Sequence, residues 1–146
     1  MPKRDERHFN LAKDGLAIEG YDPVAYFQEG GGKATPGDPA ITHTINKTTY
    51  RFVSAANRDL FTAHPDKYEP AYGGWCAYAM GAKGEKVSVN PKAYLVSEGH
   101  LFLFYKTFLT DTRKHWIEEA EALESAADTH WIEVVGAKER ADEANE

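Results

Sequence analysis

The stretch "AITHTINKTTYRFVSAANRDLFTAHP", residues 40–65, decides the fold. Ile41 and Ile45 alternate with polar residues, the period of a strand with one face against a core. Asn46-Lys47 supplies a turn, and Tyr50, Phe52 and Val53 fill the returning strand. Ser54 then stands where a helix needs an N-cap, with a side-chain oxygen to offer the first free amides. "AANRDLFTAH" follows as a helix with Leu60 and Phe61 on its buried side, and Pro65 ends it. A hairpin that runs straight into a helix points to an α+β domain.

The flanking sequence extends this pattern. Residues 1–14 read as an irregular N-terminal arm. In "GYDPVAYF", Gly20 frees the backbone and Asp22 before Pro23 caps a short helical turn. "QEGGGKATPGDP" is a surface loop. Beyond residue 65, a turn-rich segment carries aromatics inward, and Gly73-Gly74 release the chain into a short helix ended by Gly81 or Gly84. Residues 86–105 hold a second hairpin with "SEGH" as its turn. Over 110–128, Trp116, Ile117, Ala120, Leu123 and Ala127 recur at helical spacing, with Thr110 or Asp111 as cap. "DTHWIEVVG" closes the globule. The expected organisation is one small α+β domain over 15–136, of short antiparallel hairpins covered by helices, with a charged tail at 137–146.

Composition narrows the function classes. With 146 residues, the chain can bury a core without staples. No run approaches the roughly 18 apolar residues of a membrane span, so no membrane partner is expected. One cysteine excludes an intramolecular disulfide and a multi-cysteine zinc site within one chain. A net charge of −6 weighs against nucleic acid, whose phosphates call for a basic surface. The polar N-terminus lacks the apolar core of a signal peptide, so the chain as given is expected in the cytoplasm. An export signal removed ahead of Met1 would make it periplasmic instead.

Function turns on the single cysteine, in "YGGWCAYAMG", residues 72–81. Free cysteine often packs as a small hydrophobe. In the first turn of a helix starting near Gly74, however, the Cys76 thiol would meet free amides that favour an anion. Met80, one helical turn on, shares its face. A thiolate and a thioether are soft donors that suit Cu(I) better than zinc or magnesium. His43 or His64 could complete such a site, and a two-fold homodimer could supply a second thiolate. The simpler reading of His64 is a helix C-cap, and that of His43 a strand residue on the polar face. A cysteine nucleophile would need a partner base, and none of the six histidines lies in a recognisable signature, so no catalytic residue is assigned. The aromatics around Gly73-Gly74 could also border a small-molecule pocket, since glycines let a ligand approach the backbone.

"GYDPVAYF", "TTYRFVSAANRDLFTAHPDKYEPAYGGWCAYA", "NPKAYLVSEGHLFLFY" and "ADTHWIEV" together resemble the YHS domain family, in the bacterial subgroup where such a unit makes up nearly the whole protein. The resemblance runs from about Gly20 to Trp131. It implies a small metal-associated fold related to treble-clef domains, with relatives beside heavy-metal transporters and in multicomponent monooxygenases. Val53 and Asn57 stand where cysteine-bearing relatives carry ligands, so that ligand set does not carry over. The resulting expectation is a domain that binds rather than catalyses. It would associate with a copper ion through Cys76 and Met80, with His43 or His64 completing the site. The alternatives are a metal-free module that docks to a protein partner and a small-molecule pocket beside "YGGWC".

Overall fold

Asn46 takes a left-handed φ of 55°, which lets a two-residue turn close strand β1 (Asp38–Ile45) onto β2 (Thr48–Phe52). In this computed structural model, residues 4–144 are described, with side chains over 4–136. The pairing is antiparallel, with a bulge between Asp38 and Thr42. Thr48, Tyr50 and Phe52 of β2 face inward. Ser54 Oγ accepts from Asn57 N at 3.1 Å, capping α1 (Ala55–Ala63) as the sequence predicts. Phe61 is fully buried, with ring centroids 4.8 Å from Tyr50 and 5.3 Å from Phe52. Pro65 does more than stop α1. It opens a second short helix, α2 (Pro65–Tyr68), where its fixed φ suits a first helical position.

The chain then forms α3 (Ala77–Lys83), the antiparallel pair β3 (Asn90–Ser97) and β4 (His100–Phe104), α4 (Thr112–Glu118) and α5 (Ala120–Ala144). Glu98 and Gly99 both have positive φ, the geometry of a tight hairpin turn. The two hairpins remain separate two-stranded sheets. Strand β4 joins the halves. Its alternate residues Leu101 and Leu103 enter the core built by β2, α1 and residues 17–27. Phe102 and Phe104 enter a second core with Met80, Trp116 and Ala127. The unbroken apolar run "LFLF" is therefore a strand buried on both faces.

Two sequence expectations change. The helix expected over 110–128 is two helices, because Glu119 leaves helical geometry (φ −135°, ψ 41°). The break lets Trp116 drop between Phe102 and Phe104 while Leu123 and Ala127 turn toward α3. Ile117 is left half exposed. Segment 128–136 continues α5, which also runs into the segment read as a tail. Gly84, left-handed at φ 66°, ends α3, whereas Gly81 lies inside it. A Cβ at Gly81 would stand 2.6 Å from Leu123 O, so this glycine is where α5 crosses close. His130 Nδ1–H donates to Met80 O at 2.6 Å and ties the same two helices.

The described residues of the N-terminal arm are docked along the body. Arg4 holds Glu69 bidentately, Nε–Oε1 at 2.7 Å and Nη2–Oε2 at 3.1 Å. Tyr50, whose phenol is pushed well up by burial and by Glu69, donates to the same carboxylate at 2.6 Å. Residues 1–3 and 145–146 of the expected arm and tail lie outside the described residues.

Candidate functional site

"GYDP" is a structural knot. Asp22 is fully buried, and its Oδ1 accepts from Val24 N at 2.7 Å and Ala25 N at 3.1 Å. Oδ2 accepts from Val53 N at 2.8 Å and Asn57 Nδ2 at 2.9 Å. Asn57 also donates to Gly30 O. Val53 and Asn57 thus both serve the Asp22 carboxylate. One side chain caps its own turn and ties it to the start of α1.

Around "YGGWC" the arm closes over the backbone. Asn10 N donates to Gly73 O at 2.8 Å, Asn10 Nδ2 to Gly74 O at 3.2 Å, and Trp75 Nε1 to His8 O. Tyr72 and Gly73 are both left-handed, at φ 58° and 61°. Such strain in an aromatic residue persists only where its surroundings hold it. Burial and the 2.8 Å hydrogen bond from Tyr72 Oη to Asp128 do so, and both push the phenol pKa upward. His8 is buried, with its Nδ1 3.2 Å from Lys86 Nζ, whose pKa is lowered by burial. Asp5, hydrogen-bonded to Arg7, is held down to about 2. The space through which a ligand could approach the glycines contains Phe9, Asn10 and Trp131.

Cys76 is the N-cap residue of α3 rather than part of its first turn, and it is fully buried. Its N–H donates to Val87 O at 2.8 Å. Its sulfur lies 3.5 Å from Thr112 Oγ1, whose own proton goes to Tyr105 O at 2.6 Å. Thr112 therefore has only lone pairs left for Cys76, and the thiol must donate. A thiol reagent should react with native protein at least about a hundredfold more slowly than with denaturant-unfolded protein, because access waits on unfolding. Comparable rates in the two states would show that the sulfur is open.

The other predicted ligands are dispersed. Met80 lies in the second core, one helical turn beyond Cys76, whose carbonyl accepts from its N–H. His43 differs from its expected place. It shares the inward face of β1 with Ile41 and Ile45 and lies edge-on to Phe61 at 6.1 Å. Strand alternation could have placed it there, since residues two apart share a face. His64 is exposed at the end of α1, where its N–H bonds to Leu60 O and Phe61 O as the cap reading predicts. Among the described residues, no group of three or more His, Cys, Asp or Glu is gathered for a metal ion. No helix among them is long and apolar enough to cross a membrane.

One feature escaped the sequence reading. In the link from β4 to α4, Phe108 and Leu109 are 97% and 85% exposed. The turn that carries them is pinned. Thr107 N donates to Thr110 O at 2.8 Å, and Thr107 Oγ1 accepts from Leu109 N and Thr110 N at 3.3 and 3.1 Å. Lys106 and Asp111 bridge its base. The available signal was two large apolar residues inside an otherwise polar connection, "YKTFLTDTRK".

No family model, curated protein or solved structure matches the chain.

Proposed function

We propose that this chain is a YHS-like contact module that binds rather than catalyses, with the 105–111 turn as its contact element. The carrying observation is the opposite treatment of its two unusual features. Cys76 and Met80 are sealed in the interior, while Phe108 and Leu109 stand in water on a turn too well bonded to fold them back. Adjacent apolar side chains on a firm projection favour contact, because desolvating them costs no ordering of the turn.

Copper association through Cys76 and Met80 is the second reading. It is supported by two sulfur residues one helical turn apart, both shielded from water, as soft Cu(I) coordination favours. A Cu(I) competition titration under reducing conditions separates the two. The contact-module reading expects wild type, Cys76→Ser and Met80→Leu to bind equally weakly. Tight binding lost in Cys76→Ser would replace it with the copper reading, and a half-equivalent per chain would place the ion between two copies.

A further inference from the structure

The exposed turn has a charged neighbourhood of its own. Beside it lies a recess of about 310 Å³ whose lining includes Lys92, Lys106, Arg113 and Asp111, with Tyr94 and Leu95 on the β3 side. Lys114, also exposed, follows on α4. Three cations and one acid thus line this recess in a chain whose net charge is −6. Arg113 is fixed there, because its Nε donates to Tyr94 O at 2.7 Å and its backbone N–H to Asp111 Oδ1 at 3.1 Å.

We infer that this end of the domain docks on an anionic lipid surface. Phe108 and Leu109 enter the acyl boundary, and the headgroup phosphate meets the Lys92–Lys106–Arg113 recess. The inference rests on the contact-module reading and names its partner.

Two observations favour a bilayer over a protein. First, the apolar element is a convex knob of two side chains, far short of the roughly 800 Å² per partner that a stable protein interface buries. A bilayer accepts such a knob without a matching pocket. Second, the cations stand at the base of the knob. When its tip is immersed they lie at headgroup depth, where lysine and arginine gain from anionic lipid. The lack of a spanning run argues against crossing a membrane, not against touching one.

The test is sedimentation of the full chain with vesicles of phosphatidylcholine, alone or mixed with phosphatidylserine. The protein should sediment with the mixed vesicles, less with phosphatidylcholine alone, and less again as salt rises. The double variant Phe108→Ser/Leu109→Ser should lose at least about tenfold in partitioning, given the apolar area withdrawn from lipid. Lys92→Gln/Lys106→Gln should abolish the preference for phosphatidylserine. Unchanged thermal unfolding confirms that each variant is folded. In Phe108→Trp, emission should shift to the blue on adding mixed vesicles. Wild-type protein left in the supernatant with both vesicle types overturns the lipid assignment. So does binding that the double variant retains, or self-association of the free chain that the double variant abolishes. The copper titration tests the parent reading separately. A copper result sinks that reading whatever the vesicles show, whereas a vesicle failure without copper binding sinks only the lipid partner.

Discussion

Asp22→Ala is expected to cost about 3–5 kcal/mol of stability, the upper range for a single substitution, because it orphans several donors at once. The carboxylate has no exposure, and the amides of Val24, Ala25 and Val53 and the side chain of Asn57 all point at it. With the carboxylate gone, the buried donors lose their acceptor and keep their desolvation penalty. Asp22→Asn is the more informative partner. Its carbonyl can still serve Val24 and Ala25, but its NH₂ must then face Val53 N–H and Asn57 Nδ2–H, donor against donor. The amide should therefore cost about 2 kcal/mol or more despite its matching shape. Urea unfolding of both variants checks this. A loss below about 1 kcal/mol for Asp22→Ala would mean that the knot is dispensable.

The knot also marks what a sequence can disclose. The capping role of Asp22 is local, and "DP" before an apolar run announces it. Its second half, which reaches Val53 and Asn57 some thirty residues on, leaves no trace in spacing. The same division holds elsewhere. Both hairpins, the Ser54 cap and the apolar side of α1 were legible because period and turn chemistry act over a few residues. The break at Glu119 was not, because it serves Trp116 and Leu123 in a packing that the 3.6-residue period cannot register. The reading of Cys76 rests on a helix start near Gly74, three residues ahead of Ala77 where α3 begins, and its decisive neighbour, Thr112, lies 36 residues away. The exposed turn was legible in principle. Phe108 and Leu109 interrupt a polar link, but sequence pattern alone cannot distinguish an apolar pair that folds inward from one held in water by Thr107.

Gly73→Val should cost about 3 kcal/mol or more, since two penalties add at one position. The left-handed φ of 61° costs a side chain about 1–2 kcal/mol, and a β-branched one is worst placed to adopt it. The new Cβ would also lie 2.8 Å from Phe9 Cδ1 and 3.0 Å from Trp131 Cη2, so the arm, α5 or both must retreat. Retreat breaks the bond from Asn10 N to Gly73 O and draws His8 O away from Trp75 Nε1. Trypsin should then cut after Arg7 faster than in wild type, and the emission of Trp75 should change, before global unfolding begins. Gly99→Ala is the control. Its φ is +80°, yet nothing lies within 4 Å of the added carbon, so it bears the backbone penalty alone, about 1 kcal/mol. The difference between the two losses measures how firmly the arm is packed on "YGGWC". If the two variants lose equally, and the Arg7 cut is no faster in Gly73→Val, the arm rests on the domain without sealing it. The small-molecule reading of the glycine pair would then regain its ground.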